Sequence, residues 1–231
     1  MIKSASMTLT EAEEMVALTR QKKLSLIENF QFLHHKQHQF VRDIIHSGEI
    51  GKIRCFRSSF GFLIFNSENN IRYKKELGGG ALLDAGAYVL KATSFMMHGL
   101  FSVKAAHLNY HKKYDVDWFG GAFLLNKTSG VFSEVAFGFD NSYQCNYEIW
   151  GSKGKVVSNR AFTAKKDYNP TIQLEKQGKS NEIKLETDDH FFNMQLHINN
   201  LLKNENYDLE LTNILGQARL IQQINIKTVK Q

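Results

Sequence analysis

The chain has 231 residues, 42% of them hydrophobic, which suffices for one sizeable domain with a buried core and a small appendage. With a single proline, Pro170, and 23% charged residues, no stretch has the composition of a disordered tail or linker. The net charge of +6 is spread over isolated pairs such as Lys22-Lys23, Lys74-Lys75 and Lys112-Lys113. This favours a basic surface without a specific ligand over a nucleic-acid footprint, and a phosphate-bearing small substrate would also suit it.

The elements follow in chain order. Thr8 and Glu11 have capping-box spacing, and Leu9, Ala12, Met15, Val16 and Leu18 give one apolar helical face, predicting a helix from about Thr8 to Gln21. Leu24 to Phe30 reads as a strand, so the two form half of an α/β repeat. Such a half cannot cover both faces of a sheet alone. Phe40, Val41, Ile44 and Ile45 predict a second helix, stopped at Ser47-Gly48. Ile50 to Phe62 reads as a strand and Asn66 to Glu76 as a polar loop. Gly78-Gly79-Gly80 then opens a helix from Ala81 to about Met97, ended by Gly99.

The second half changes character. Short strand-like runs follow at Val103–Tyr110, Trp118–Leu125, Gly130–Phe139, Gln144–Trp150, Lys155–Ser158, Thr171–Lys176 and Glu182–Leu185, separated by turn signals. Helices are expected near His190–Lys203 and Thr212–Lys227. The fold class is α/β (α+β): an open, mainly antiparallel sheet covered by helices on one face, after an N-terminal helix and strand. Trp118, Phe119 and Trp150 are expected in the core. Cys55 and Cys145 lie in strand-like runs without CxxC spacing, as buried thiols do in a reducing cytoplasm. No apolar run approaches the roughly 18 residues of a membrane span, and Met1 to Glu14 has no signal-peptide core.

Leu77 to Tyr88 is the segment richest in chemistry. Three glycines at a helix start permit close backbone approach, and the free amides and dipole there can hold an anion. Asp84 and Tyr88 stand four apart on one face, with Lys91 near the same stripe. A tyrosine beside a cation can exchange a proton with a sugar hydroxyl or carbonyl. For base work a phenol's pKa, near 10, must be lowered by a lysine or a cofactor's charge. The structural alternative stands beside this: glycines for packing, Asp84 as a dipole partner, and Tyr88 half-buried with its hydroxyl satisfied.

This segment resembles the signature of the glucose–fructose oxidoreductase/inositol dehydrogenase family (Gfo/Idh/MocA), G-G-G-x-L-x-D-x-G-x followed by His or Tyr. Thr10-Glu11-Ala12-Glu13-Glu14-Met15 is similar to the helix after the family's E-K-P motif, Ser47 to Ile53 to the entry into its large sheet, and Glu148 to Gly154 to a late hairpin. Within the family, Glu28-Asn29-Phe30, the histidines of His34 to His38, and Ile71-Arg72-Tyr73 resemble the 3-ketoreductases of nucleotide-linked deoxysugars.

The resemblance implies a division into residues 1–30, a remnant of a dinucleotide-binding Rossmann domain, and residues 31–231, a C-terminal substrate and oligomerisation domain. It implies an oxidoreductase acting on a sugar or sugar nucleotide with NAD or NADP. Lys3 falls at the catalytic and cofactor-contacting lysine, although Ile2 and Ser4 replace the flanking Glu and Pro. Tyr88 falls at the catalytic tyrosine and Asp84 at the motif aspartate. Lys91 stands where inositol dehydrogenase-like members have Asp, which argues against their proton relay. It further implies homo-oligomers paired through the open sheet face and a cytoplasmic enzyme.

No G-x-G-x-x-G follows an early strand, so the cofactor-gripping part is missing from this chain. Activity then requires a Rossmann half from a separate chain or a longer gene product. The alternative is a truncated, inactive sugar-binding or oligomerisation module. Arg72 and Tyr73 are candidate substrate contacts, Arg72 as a diphosphate clamp, against a solvated loop. His35, in a cluster with His34 and His38, is a candidate pocket residue by resemblance, against a solvated helix start. A metal is not expected, because Lys36 and Gln37 occupy the middle of what would be H-E-x-x-H.

Overall fold

The computed structural model describes residues 4–63, 69–204 and 207–228. Helix α1 (Leu9–Lys22) opens on the expected capping box. The Thr8 side chain accepts from the Glu11 N–H while the Glu11 carboxylate accepts from the Thr8 N–H, which satisfies two otherwise orphaned donors. The helix ends on Lys23 in the left-handed region, φ 53°. Residues 24–30, expected as a strand, form none. A strand exists through its ladder to a neighbour, and among the described residues no segment pairs with this one. Leu26 packs instead with Ala12, Val16 and Leu211.

Helix α2 (Lys36–His46) stops at Ser47, and Gly48 follows with φ +72°. Strand β1 (Ile53–Phe62) is next. The described part of the expected loop, residues 69–77, holds two short 3-10 turns, Ile71–Tyr73 and Lys75–Leu77. The helix after the glycines begins with a wide π turn, Leu82–Gly86, before settling into α3 (Ala87–Met97). Seven strands follow: β2 (Phe101–Tyr110), β3 (Asp117–Asn126), β4 (Phe132–Phe139), β5 (Gln144–Gly151), β6 (Gly154–Ser158), β7 (Thr171–Lys176) and β8 (Lys179–Lys184). Helices α4 (His190–Asn204) and α5 (Asp208–Lys227) complete the chain's described elements.

All eight strands join one sheet in the order β2-β3-β4-β1-β5-β6-β7-β8. Every neighbouring pair is antiparallel except β1 with β4, which run parallel from Cys55 opposite Phe132 to Phe62 opposite Phe139. The passage through α3 carries the chain from β1 to the far edge, and two hairpins return it alongside β1 in the same direction.

One face carries the core. Phe56, Phe60, Leu124, Phe137 and Ile149 meet Val41, Leu90, Met96, Leu220 and Ile224 from the helices. Each such fully buried side chain stabilises the fold by roughly 1.5–3 kcal/mol. The other face is open. Phe119 and Trp150, expected in the core, are 42% and 45% exposed on that side, because strand residues alternate between faces and their neighbours Ala122, Leu124 and Ile149 take the inner one. Across the open face Arg57 pairs with Glu134 at 2.5 Å and stacks over Trp150 at 4.6 Å, and Phe123 stacks on Phe132. Cys55 and Cys145 are buried and free. Among the described residues, no helix is long and apolar enough to cross a membrane.

Candidate functional site

The glycine turn is built for close approach. A Cβ on Gly79 would lie 2.7 Å from the carbonyl oxygens of Arg72 and Lys74, so only glycine lets the turn fold under the 3-10 segments. Gly80, with φ +112°, leaves room for the carboxylate of Asp117. That carboxylate accepts from the Leu82 N–H at 2.5 Å and from the Ala81 amide. The anion expected at this helix start is therefore the protein's own. Burial raises the Asp117 carboxyl to about 6 against the opposing pull of those backbone donors.

Asp84 lies within the π turn and pairs with the Arg72 guanidinium. Arg72 also stands over the Phe62 ring at 5.8 Å, Phe62 touches Phe60, and Phe60 meets Tyr88 at 5.2 Å. A continuous cluster therefore joins Arg72, Asp84 and Tyr88 where β1 ends and α3 begins. Tyr73 stacks on Tyr114 at 4.5 Å and on Trp118 at 5.9 Å, so its ring is packed while Ile71 and Lys75 at the ends of the segment are exposed. The Tyr88 ring is 2% exposed, boxed by Phe30, Phe32, Phe60 and Phe162. Its hydroxyl donates to Gln31 Oε1 at 3.2 Å. Lys3 lies outside the described residues.

The histidines expected at a solvated helix start are interior. His38 donates from one ring nitrogen to the Ala161 carbonyl at 3.0 Å, and in its neutral form the other accepts from the Tyr147 hydroxyl at 2.9 Å. Full burial lowers its pKa to about 3. His35 is 2% exposed, and its Nδ1 accepts the Gln37 N–H, capping α2. Burial likewise lowers His34, to about 4, with the neighbouring His197 ring adding to the effect. Among the described residues no group of three or more His, Cys, Asp or Glu is arranged to hold a metal.

Two features were not read from the sequence. One is a buried ion pair, Lys91 with Glu28 at 2.8 Å. The other is a cavity of about 830 Å³ between α2, α3, α4 and α5, lined in part by Glu28, His34, His35, Arg42, Lys91 and His197. Its size suits a small-molecule site. Of the expected site residues His35 lines it, whereas Tyr88, Asp84, Arg72 and Tyr73 do not. The pair has no local sequence signal because its members are far apart in the chain. The cavity draws on segments from Ile27 to Gln217.

The described residues offer no cradle for a dinucleotide. No strand–turn–helix with a glycine-rich phosphate loop is present among them, and the one glycine-bounded helix start is filled by Asp117.

Comparison with known proteins agrees with this architecture. A 3-reductase of dTDP-3,4-didehydro-2,6-dideoxy-α-D-glucose from Saccharopolyspora spinosa is 38% identical over 187 residues, 81% of this chain and 56% of that protein. The corresponding reductase of Actinomadura kijaniata is 38% identical over 181 residues, 78% of this chain and 54% of its own. The chain thus spans about half the length of the curated relatives it matches. A 3-ketoreductase from Actinomadura kijaniata, solved with NADP and TDP-benzene, superimposes with a TM-score of 0.91 at 32% identity, covering 96% of this chain and 68% of that one. The same ketoreductase is also known as variants with one lysine or one tyrosine replaced. Residues 38–157 match the model of the GFO/IDH/MocA C-terminal domain, and the chain belongs to that family.

Proposed function

We propose that this chain is the sugar-side part of an NADP-dependent oxidoreductase that reduces a keto group on a nucleotide-linked deoxysugar. The observation that carries the reading is the agreement with 3-reductases of one dTDP-sugar at up to 38% identity, across most of this chain. A second observation supports the assignment of residues. The lysine and tyrosine replaced in the ketoreductase variants are separated by the same stretch of chain, to within one residue, as Lys3 and Tyr88.

In this reading the hydride comes from a nicotinamide held by a dinucleotide-binding half, supplied by a longer polypeptide or a separate chain. The residues of this chain manage the sugar and the proton. Tyr88 is the general acid. Its hydroxyl already donates to an uncharged oxygen, Gln31 Oε1, and a substrate carbonyl takes that acceptor's place. Asp84 pairs with Arg72, and in this reading the Arg72 guanidinium meets the diphosphate alongside Tyr73. His35 contributes to a pocket wall, and Lys3 orients the reacting groups. Pairing of two copies through the open sheet face, and action in the cytoplasm, complete the proposal.

A second reading is favoured by the deep burial of the Tyr88 ring and the absence of a strand partner for residues 24–30 among the described residues. In that reading the chain binds sugar nucleotide or oligomerises without turnover. Calorimetry with dTDP and fluorescence titration with NADPH separate them. The first reading predicts dTDP binding by this chain and, once a dinucleotide-binding half is supplied, consumption of NADPH with a dTDP-linked 3-keto sugar. Binding of dTDP without consumption under those conditions would establish the second.

A further inference from the structure

Glu28 uses its two carboxylate oxygens in different directions. Oε2 accepts from the Lys91 ammonium at 2.8 Å, and Oε1 accepts from the Ala5 N–H at 3.0 Å. Both charged side chains are buried, 8% exposed for Lys91 and 2% for Glu28. Taking two charges out of water is costly, and a well-packed apolar pair of the same size commonly stabilises a fold as much or more. A buried pair is therefore poorly explained by stability alone. What an apolar pair cannot do is hold a backbone amide at a fixed point.

That amide is two residues beyond Lys3. Residues 4–8 are tied internally, by Ser4 Oγ to the Ser6 carbonyl and Met7 N–H to the Glu11 carboxylate. Across the fold, the Ala5–Glu28 bond links them to α3. Lys91 leaves α3 one turn after Tyr88, its ammonium 5.2 Å from the Phe30 ring centroid, and Phe30 meets Tyr88 edge-on at 5.2 Å. The same segment reaches the glycine turn, where a Cβ on Gly78 would lie 3.2 Å from Met7 Cγ. The pair thus spans from the Ala5 amide to the helix that presents Tyr88.

We propose that Glu28 and Lys91 are positioning residues that hold residues 4–8, the stretch that follows Lys3 in sequence, in register with the helix carrying Tyr88. The proposal rests on the reading of Lys3 and Tyr88 as the proton-handling pair. Its test compares this chain with two double variants, Glu28→Leu/Lys91→Met, which keeps volume and removes the clamp, and Glu28→Gln/Lys91→Met, which restores an oxygen acceptor for the amide. Amide exchange at Ala5, resolved by NMR, should quicken about tenfold in the first variant at a nearly unchanged melting temperature and return close to the original in the second. In the reduction assay the first variant should lower kcat about tenfold with KM unchanged.

Original Ala5 protection in the folded Leu/Met variant overturns the proposal, as does a fall confined to KM. If that variant does not fold, Glu28→Met/Lys91→Leu, a second apolar pair without an acceptor for the Ala5 amide, is read by the same criteria. The catalytic reading fails separately. Turnover insensitive to Tyr88→Phe would remove it, while Ala5 exchange would still report whether the clamp exists.

Discussion

Lowering the pH should weaken this protein through His38 in particular. The neutral ring is fully buried and both its nitrogens are engaged, one donating to Ala161 O and one accepting from Tyr147. A proton on the accepting nitrogen would set a charge in the core and point an N–H at the hydroxyl now donating to it. The folded pKa, about 3, lies below the ordinary 6.5, so the unfolded chain takes up the proton first. The associated stability is present above pH 6.5 and is lost as pH falls toward 3. Between pH 7 and 4 the linkage relation gives a loss of about 3 kcal/mol from this one group.

The variant His38→Gln keeps a donor and an acceptor at the site but does not titrate. Urea unfolding of both proteins at pH 7 and at pH 4 isolates the effect, because every other titration cancels in the difference. His38→Gln should be the less stable at pH 7, and the gap should shrink or reverse by about 3 kcal/mol at pH 4. A gap independent of pH would refute the assignment of a neutral, buried His38.

Other outcomes follow from the same geometry. Gly79→Ala should cost several kcal/mol in chemical unfolding, on the order of the larger single-site effects, because its methyl meets two backbone carbonyls that cannot move independently. Asp117 behaves oppositely to His38: its folded pKa is raised to about 6, so its stability is full below the unfolded value near 3.8 and lost as pH rises through 6. Asp117→Asn should gain on the original protein between pH 4 and 7 in thermal melts. Burial pushes the Cys55 thiol up to about 11, so iodoacetamide at neutral pH should leave it unmodified while the fold is intact.

The helix ends were legible because capping is local. Thr8 with Glu11 and the glycines at 48 and 99 carry their signals within a few residues, and the turn residues between strands do the same. The mainly antiparallel sheet followed from strands joined by short turns. The parallel β1–β4 pair did not, since nothing local says which strand returns beside β1.

The π turn at Leu82–Gly86 leaves no compositional trace, so the helix after the glycines reads as uniform. The anion at that helix start was foreseen in kind but not in origin, because Asp117 arrives from thirty-five residues away. Interior histidines were mistaken for solvated ones for a similar reason. The groups that satisfy His38, Tyr147 and Ala161, lie more than a hundred residues further on. Asp84, Tyr88 and Arg72 were singled out from motif spacing, and the ring contacts through Phe60 and Phe62 join them in one cluster. The strand expected at 24–30 failed because period-two patterning reports an intent to pair and not the presence of a partner.

Whether the Tyr88 hydroxyl supplies the proton is decided by one comparison. With a dinucleotide-binding half supplied, NADPH consumption on a dTDP-linked 3-keto sugar is measured for the original chain and for Tyr88→Phe, which keeps the ring among its aromatic neighbours and deletes only the hydroxyl. A loss of about 100-fold or more in kcat is expected, the scale of general acid catalysis, with the melting temperature nearly unchanged. Equal rates from the two proteins would contradict it.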